Sequence, residues 1–434
     1  MSNQTITHGL AFDHRSNKRQ GPSTSAPGLY RLTRHLVFAR LSKLESGMVT
    51  ILEKDERFQF GHLTSDCRLK ATVTIHDPRV YADIALEGTV GAGDAYGRGW
   101  WDCDDLTALV RIFVKNRALL DSMEEGIARM SYPLLKAVHW RKRNTKAGSR
   151  KNIAAHYDLG NEFFQLMLDD TMMYSCAYFE QPDASLVEAS RAKNERICRK
   201  LQLAAGDHLL EIGTGWGGFA IHAASHYGCR VTTTTISRQQ HDMALERVRE
   251  AGLSDRITVL FTDYRDLPKL GVQFDKLVSI EMIEAVGHQY YRTFFEICSR
   301  MLKPQGLALI QGITIDERFY ERARRSVDFI QYFIFPGSCI PAVSVLTGAS
   351  AKVGDLGLIQ LEDIGVHYAP TLRAWRRNMV EKLPEIKALG YQLEFIRLWD
   401  FYLSYCEGGF LERSISAVHL LFCKPDWRPK AVGG

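Results

Sequence analysis

The sequence lacks several features that mark whole classes of protein. Its nine cysteines form no C-x-x-C pair and have no histidine partners at metal-ligand spacing, which argues against a zinc site and a disulfide framework. We therefore expect no metal and reduced thiols, as in the cytoplasm. The longest apolar stretch, 329–346, is interrupted by Pro336, Gly337 and Pro341 and is too broken to cross a bilayer. Residues 1–28 have no apolar signal core and are predicted to be a disordered lead-in.

A strong charge of one sign is also missing. The formal net charge is only +5 over 434 residues, and a content of 45% hydrophobic and 24% charged residues is typical of a globular protein. Nucleic acid is therefore not an expected partner. The charge is uneven, because residues 141–151 read RKRNTKAGSRK and contain no acid. This segment is either a solvated linker or a patch for anionic lipid headgroups, and both interpretations stay open.

The length predicts two or three domains, and the pattern changes on either side of the basic segment. Residues 29–140 have no glycine-rich nucleotide turn and are predicted to form a small α+β accessory domain for lipid binding or dimerisation. Strands and helices are predicted there over 47–52, 69–75, 106–115 and 118–128. The adjacent Trp100 and Trp101 are either anchors in the core or at a domain interface, or a ligand or lipid contact.

Residues 152–434 alternate between strand and helix patterns, which predicts a parallel α/β sheet of the Rossmann-like kind with crossover helices. Strands are predicted over 208–212, 230–235, 257–260, 276–280 and 306–311. Helices are predicted over 187–201, 218–225, 238–250 and 290–300. Within this domain, residues 316–350 are predicted to be a helix-rich insert. Its arginines, at 318, 322, 324 and 325, precede an apolar stretch and favour either a headgroup contact or a solvated helix face.

A glycine-dense turn follows the first of these strands. The pattern places Glu211 before Gly213, Gly215 and Gly217, so the third glycine comes one residue too early for the dinucleotide fingerprint G-x-G-x-x-G. Glycines let the backbone turn tightly and approach a ligand closely. The carboxyl edge of such a sheet is where ligands bind, and an acid there suits the ammonium group of S-adenosylmethionine. A plain structural turn is the alternative.

Two further positions are candidates for the same cofactor. Asp263 and Tyr264 follow the third strand, where a carboxylate can accept from an adenine amino group and an aromatic ring can lie against the base. A surface aspartate beside a packed tyrosine is the alternative. The second strand does not end in the acid that usually holds a ribose, and Thr235 and Gln240 follow instead. We expect Gln240 to take the ribose hydroxyls.

Five motifs resemble those of one family. They occur in order at 156–164, 174–179, 211–217, 235–240 and 284–287. Their content and spacing are similar to those of the cyclopropane fatty acid synthases, which include the mycolic acid cyclopropane synthases, over about residues 150–425. The Gly-Trp-Trp-Asp element within 45–140 resembles the amino-terminal domain of the phospholipid-acting members.

The resemblance implies a class I S-adenosylmethionine-dependent methyltransferase fold and a reaction. The methyl group goes to a cis double bond of an acyl chain in a membrane phospholipid, and the resulting carbocation loses a proton to a bound bicarbonate ion and closes to a cyclopropane. Tyr174 and Ser175 would then join the cofactor-binding residues. The implied bicarbonate site consists of Glu284, Tyr368 and the backbone groups of Cys176 and Ile313.

The chemistry of an alkene bears on these residues. An alkene and a sulfonium need no covalent enzyme intermediate, so we interpret Cys176 as a structural donor and not as a nucleophile. Glu284 beside an anion predicts a coupled pair in which one member holds a proton. Aromatic faces ease a carbocation, and the motif positions favour Tyr157 and Tyr368 over Tyr178 and other aromatic residues.

One residue departs from the family pattern. The family has His-Thr-Ile after the fifth strand, whereas this chain has Gln311-Gly-Ile313. Glutamine can donate a hydrogen bond to bicarbonate, but it cannot gain a charge or relay a proton. We therefore expect weaker or altered bicarbonate binding, and methyl-branched or methylene fatty acids become an alternative product.

Two other classes stay open, a small-amine N-methyltransferase and a lipid-binding member with little turnover. The expected location is the cytoplasm, with peripheral association at the inner face of the membrane. The expected partner is an unsaturated phospholipid, and a homodimer through the accessory domain is left open.

Overall fold

The computed structural model describes residues 27–119 and 160–429, and the chain divides into two compact units. Within the described residues, the first unit comprises 27–119, 327–333 and 379–414, and the second comprises the remainder. The first unit is therefore discontinuous in sequence, because segments that the pattern analysis assigned to the catalytic domain return to it. The predicted domain boundaries themselves stay a prediction. The basic segment 141–151 lies outside the described residues.

The first unit contains a four-stranded sheet in the order β2-β1-β3-β4. Its strands are β1 Gly47–Glu53, β2 Glu56–His62, β3 Lys70–Ile75 and β4 Trp101–Cys103. Its helices are α1 Pro27–Leu41, α2 Val80–Glu87, α3 Thr89–Gly97 and α4 Leu106–Lys115. β1 pairs antiparallel with β2 and parallel with β3, which confirms the two strands and the helix over 106–115 that the sequence predicted. The predicted helix over 118–128 lies mostly outside the described residues.

Aromatic packing holds the core of this unit. Trp101 is buried, its indole N–H donates to the Ala92 carbonyl at 3.0 Å, and its ring meets Tyr96 edge-on at 5.0 Å. Trp101 is thus a core anchor, whereas Trp100 is only half-buried and lies under the guanidinium of Arg79 at 4.3 Å. Arg397 is fully buried and donates to the carbonyls of Tyr96 and Trp101, at 2.6 and 2.8 Å, from a helix far along the chain.

The second unit contains a seven-stranded sheet in the order β10-β11-β9-β8-β5-β6-β7. Its strands are β5 His208–Ile212, β6 Arg230–Thr235, β7 Ile257–Phe261, β8 Phe274–Ile280, β9 Leu302–Ile315, β10 Gly357–Asp363 and β11 Ile415–Cys423. β5 to β9 are parallel, and β11 runs antiparallel to both of its neighbours. The predicted Rossmann-like parallel core is confirmed, with strand ends within a few residues of those expected.

The remaining helices are α5 Asn161–Met167, α6 Leu186–Lys200, α7 Gly218–Tyr227, α8 Arg238–Glu250, α9 Tyr291–Met301, α10 Glu317–Ala323, α11 Val343–Val353, α12 Tyr368–Glu381, α13 Leu383–Ala388 and α14 Leu393–Leu411. The start of α6 is set by a capping box in which Ser185 and Glu188 satisfy each other's backbone N–H groups. The insert over 316–350 contains α10 and most of α11. Among residues 27–119 and 160–429, no helix is long and apolar enough to span a membrane.

Candidate active site

The glycine-rich turn after β5 has the geometry that its sequence predicted. Gly213, Gly215 and Gly217 have φ values of +104°, +52° and +84°, a region that side chains with a Cβ rarely adopt. A Cβ built on Gly215 would meet no heavy atom within 4 Å. The turn is therefore open on that side, and α7 begins directly after it at Gly218.

Glu211 lies at the end of β5 and is 2% exposed. Its Oε2 atom is buried and has no hydrogen-bond partner within the described residues. Burial raises the pKa of Glu211 to about 8, against the opposing effects of a hydrogen bond with Thr233 and the charge of Lys193. A buried polar atom without a partner is costly, and the binding of a cationic ligand group by Glu211 stays a prediction.

Lys193 is the nearby cation that sequence reasoning missed. It is fully buried on α6, and its Nζ donates to the Ser175 hydroxyl at 3.1 Å. Burial lowers the pKa of Lys193 to about 8, although Glu281 and other acids oppose this change. The periodicity of α6 predicts a core-facing position at 193, but it cannot tell a buried lysine from a solvated one.

The residues around this turn fit S-adenosylmethionine. The open backbone at Gly215 and the unpartnered oxygen of Glu211 suit a ligand that carries an ammonium group. Thr235 donates to Gln240 Oε1 at 3.0 Å, which leaves the amide nitrogen of Gln240 as the donor for a hydroxyl. Tyr174 packs against Phe164 and Trp375, with ring centroids 5.3 and 5.1 Å apart.

The predicted adenine pair makes local contacts. Both carboxylate oxygens of Asp263 accept from the Arg265 side chain, at 2.8 and 2.6 Å. The Tyr264 ring packs edge-on against Phe294 at 5.6 Å, in a hydrophobic core. Oδ1 also accepts from the Arg265 backbone N–H at 3.0 Å, so both of its lone pairs are used. The adenine contact of these two residues stays a prediction.

Three residues predicted to hold bicarbonate donate instead to one carboxylate, that of Glu281. The Cys176 backbone N–H and the Gln311 side-chain amide donate to Glu281 Oε1, at 2.9 and 2.8 Å. The Tyr368 hydroxyl donates to Glu281 Oε2 at 2.5 Å. Sequence reasoning missed Glu281, although an acid directly after the end of β8 was the available signal.

Glu284 lies three residues further on, in a 3₁₀ turn, and is 8% exposed. Its Oε1 accepts from the Ile313 backbone N–H, and its Oε2 has no hydrogen-bond partner among the described residues. Burial, followed by the charge of Glu281, raises the pKa of Glu284 to about 8. Burial also raises the pKa of Glu281, but its three donors favour the charged form. Glu284 is therefore the protonated member of the pair near neutral pH.

Cys176 is fully buried, and its Sγ–H donates to the Ala177 carbonyl at 3.3 Å. Burial and the charge of Glu281 raise the pKa of this thiol well above its ordinary value. The thiolate needed for nucleophilic attack is therefore absent at neutral pH, in keeping with the prediction of a structural donor. All nine cysteines are free thiols.

Gln311 connects the carboxylate pair to a second polar chain. Its Oε1 accepts from His419 Nε2 at 3.0 Å, and His419 Nδ1 faces Lys200 Nζ at 3.1 Å. Burial lowers the pKa of His419 well below its ordinary value, so the ring is neutral, donates through Nε2 and accepts at Nδ1. Lys200 also pairs with Glu362. This series of polar contacts orients the Gln311 side chain. Sequence reasoning did not predict a role for His419.

The other aromatic candidates differ in their surroundings, and one of them is not among the described residues. Tyr157 lies outside the described residues. Phe163 and Phe164 are fully buried and pack edge-on at 5.6 Å, as core residues do. Tyr178 lies 4.1 Å from the ring of His367 and under the guanidinium of Arg196.

The basic segment before the apolar stretch is partly neutralised by acids. Arg318 pairs with Asp316 at 2.7 Å, and Arg324 and Arg325 both pair with Glu321, at 2.6 and 3.2 Å. These pairs favour a solvated helix face over a free headgroup patch.

The family model for mycolic acid cyclopropane synthetase matches residues 144–420, more than half of the chain. The protein belongs to the mycolic acid cyclopropane synthetase family. The cyclopropane-fatty-acyl-phospholipid synthase of Escherichia coli K12 is 36% identical over 357 residues, which cover 82% of this chain and 88% of the relative. The tuberculostearic acid methyltransferase UfaA1 of Mycobacterium tuberculosis is 34% identical, over 77% of this chain and 79% of the relative.

Solved structures agree with this assignment. The cyclopropane synthase MmaA2 from Mycobacterium tuberculosis has a TM-score of 0.59 and 30% identity, over 63% of this chain and 98% of that one. The mycolic acid cyclopropane synthase CmaA1 complexed with SAH and CTAB gives the same values. Coclaurine N-methyltransferase, at 21% identity and a TM-score of 0.57, shows the fold alone. The protein is an S-adenosylmethionine-dependent methyltransferase of the cyclopropane synthase type with the class I fold.

Proposed function

We propose that the protein transfers the methyl group of S-adenosylmethionine to the cis double bond of an unsaturated acyl chain in a membrane phospholipid, giving a cyclopropane fatty acid. The observation that carries this proposal is a buried carboxylate pair beside the cofactor turn. A Cβ at Gly213 would lie 3.5 Å from the side chain of Met282, which stands between Glu281 and Glu284 in the chain. An acid pair at that point suits removal of a proton from a freshly methylated carbon.

The residues divide the work in a way that suits an alkene. S-adenosylmethionine supplies an electrophilic methyl group when it is bound. Glu211 offers its unpartnered oxygen to the ammonium end of the cofactor. The rings of Tyr368 and Trp375, which meet edge-on at 6.2 Å, offer aromatic faces near a developing cation. The buried thiol of Cys176 has no covalent step to perform.

The phospholipid part of the proposal draws on the Escherichia coli relative, whose name includes a phospholipid substrate. We expect peripheral association with the inner face of the membrane, with the basic segment 141–151 towards anionic headgroups. Dimerisation through the first unit stays a prediction. The insert over 316–350 is our candidate cover for the acyl chain.

A second product has specific support. UfaA1 is named a tuberculostearic acid methyltransferase, and this chain has Gln311 where the family pattern has histidine. Loss of a proton from a chain carbon gives a methyl-branched alkene instead of a ring. A hydride shift to the cationic carbon, followed by loss of a proton from the transferred methyl group, gives a methylene chain. The cofactor and the acceptor class are the same in both cases.

Bicarbonate, which the resemblance implied, does not fit the residues present. The donors of Cys176, Gln311 and Tyr368 that would hold it are engaged by the Glu281 carboxylate. A further anion there would lie against two carboxyl groups in a buried site, which is strongly unfavourable. We therefore assign no step to bicarbonate.

Incubation with vesicles of mono-unsaturated phospholipid and S-adenosylmethionine carrying a trideuterated methyl group tests the proposal. Mass spectrometry distinguishes the products. A cyclopropane keeps two deuterons and has no alkene, a methylene chain keeps two and has an alkene, and a methyl-branched alkene keeps three. Vesicles of saturated phospholipid are the control. No mass gain on any unsaturated lipid would contradict the proposal.

Glu284→Gln provides the matched variant. We expect it to lower turnover by about 10²-fold or more, because the glutamine amide can neither hold nor pass a proton beside Glu281, while the Kd for S-adenosylhomocysteine stays within about threefold. Loss of cofactor binding instead would mean that Glu284 belongs to the cofactor-binding part of the site and not to the part that removes the proton.

A further inference from the structure

The carboxylate of Glu281 accepts hydrogen bonds from three groups that belong to three separate segments of the chain. We infer that Glu281 is the catalytic base of this enzyme, a built-in carboxylate that replaces a bound bicarbonate ion, so that turnover does not require bicarbonate. This inference deepens the proposed function and rests on it for the identity of the substrate.

The first reason for this inference is the geometry of the hydrogen-bond donors around Glu281. Bicarbonate and a side-chain carboxylate both present two oxygens on a trigonal carbon, and both accept hydrogen bonds in that plane. The Cys176 N–H and the Gln311 amide reach one oxygen of Glu281, at 2.9 and 2.8 Å, and the Tyr368 hydroxyl reaches the other at 2.5 Å. Hydrogen bonds to an ionised carboxylate are stronger than those between neutral groups. Among these three groups, the hydrogen bonds to Glu281 leave only the second N–H of the Gln311 amide for another anion.

The second reason for this inference is the backbone conformation of Glu281. Its φ is +51°, in the left-handed region that a non-glycine residue adopts at a cost of about 1 kcal/mol or more. The Glu281 N–H donates to the Gln311 carbonyl at 2.8 Å and holds this conformation. Strain of this kind persists where the surrounding structure uses the side chain. A glycine at 281 would relieve the strain and vacate the carboxylate position in one substitution.

The neighbouring charges keep Glu281 in the form that a base needs. Burial raises the pKa of Glu281, and the three donors and the buried ammonium of Lys193 oppose this change by favouring its anion. The uncharged partner of the pair is Glu284, whose Oε1 accepts from the Ile313 N–H. Gln311 is a positioning residue here, because an amide can orient Glu281 but cannot take its proton.

Atoms and charge balance in the proposed step. Methyl transfer to one alkene carbon leaves the positive charge on the other. A C–H bond of the transferred methyl group then breaks, its electron pair closes the three-membered ring, and the proton goes to the carboxylate of Glu281. The neutral product and a protonated Glu281 result, and the proton leaves to solvent before the next turnover. No oxidant, reductant or second anion is needed.

Turnover of unsaturated phospholipid vesicles in carbon-dioxide-depleted buffer, with and without added sodium bicarbonate, tests this inference. We expect wild-type turnover to change by less than about twofold on adding bicarbonate. Glu281→Gln, which keeps the shape and removes the base, should lose about 10²-fold or more in kcat. Glu281→Gly should be similarly slow alone and should gain about 10-fold or more with bicarbonate, because the vacated donors can hold the ion. Glu246→Gln, on the exposed face of α8, is the control and should behave as wild type.

A second measurement needs no lipid substrate. The melting temperature of Glu281→Gly with S-adenosylhomocysteine should rise with bicarbonate relative to chloride at equal ionic strength, and that of wild type should not. An equal rise in wild type, bicarbonate-dependent wild-type turnover, or a fully active Glu281→Gln would overturn the inference and leave the proposed function standing. The expected melting pattern in a wild type that modifies no lipid would support the built-in carboxylate and overturn the proposed function instead.

Discussion

The hydroxyl of Tyr368 donates to Oε2 of Glu281 at 2.5 Å, across 87 positions of sequence. Tyr368 begins α12, whereas Glu281 follows β8 at the carboxyl edge of the sheet. A short hydrogen bond to a carboxylate stabilises its charged form. The tyrosine therefore contributes to the acidity of Glu281 as well as to the packing against Trp375.

Tyr368→Phe should separate these two contributions, because it removes the hydroxyl and keeps the ring. We expect kcat to fall by about 10-fold or more, with the acidic limb of its pH profile moved to higher pH, since the pKa of Glu281 rises when a donor to its anion is lost. The control is Tyr227→Phe, which removes a similar bond of 2.9 Å to Glu195. Equal effects of the two variants on kcat would argue against a role for Tyr368 at the reacting carbon.

Gly215→Ala tests the open turn. The alanine would be strained at a φ of +52°, but it would meet no heavy atom of the protein within 4 Å. Gly252→Ala is matched to it, since Gly252 has a φ of +67° and equally open surroundings after α8. Both variants should lose about 1 kcal/mol of unfolding free energy. Only Gly215→Ala should weaken S-adenosylhomocysteine binding, by about 10-fold or more, in calorimetric titration. Equal binding by both variants would mean that the cofactor does not approach Gly215.

Elements set by local sequence patterns were predicted from the sequence, whereas features set by tertiary contacts were not. β5 and β8 are central parallel strands, and their sequences contain short apolar runs. The edge strand β10 was missed, because six of its seven residues are exposed and its pattern carries no core signal. The first unit is discontinuous because α14 packs on α3 and α4, a tertiary contact that no local pattern encodes.

The candidate site shows the same limit. The family resemblance implied that Glu284 and the Ile313 backbone belong to one site, and the structure has a hydrogen bond between them. Glu281 was missed because its importance depends on a positive φ and on donors from β9 and α12. Lys193 was missed for a related reason, since burial of a lysine becomes visible only when α6 is packed on the sheet.

Glu211→Gln should stabilise the protein without ligand and weaken cofactor binding. Burial raises the pKa of Glu211 from 4.5 to about 8, so the folded state keeps a proton that the unfolded chain releases. The unfolded state binds fewer protons over this range, and the stability contributed by this group therefore falls as the pH rises from about 4.5 to about 8. Glutamine removes this dependence. Urea unfolding at pH 5 and pH 8 should show the variant gaining on wild type at pH 8.

Glu188→Gln gives the opposite sign and serves as the control. Hydrogen bonds with Ser185 lower the pKa of this exposed carboxyl, so its stabilising effect is present above its ordinary pKa and is lost as the pH falls through the lowered value. Glu188→Gln should not become more stable than wild type at pH 8. A Glu211→Gln protein that gains nothing at pH 8, or that binds S-adenosylhomocysteine as tightly as wild type, would contradict the account of Glu211.

Gly312→Ala probes how tightly the carboxylate pair is held. A Cβ at this position would lie 2.7 Å from Ile283 Cγ2 and 3.6 Å from Glu284 Oε1, so the 3₁₀ turn that carries Glu284 must shift. Overpacking of this kind costs about 1–3 kcal/mol, and displacement of a proton-transfer group by a fraction of an ångström should lower kcat further than the loss of stability explains. Gly348→Ala in α11 meets no heavy atom within 4 Å and should be neutral or stabilising by up to about 1 kcal/mol. Unfolding in urea and turnover of unsaturated phospholipid vesicles, measured on both variants, check the pair. A Gly312→Ala enzyme with wild-type kcat would show that turnover tolerates movement of Glu284 and would contradict a role for this carboxyl group in the reaction.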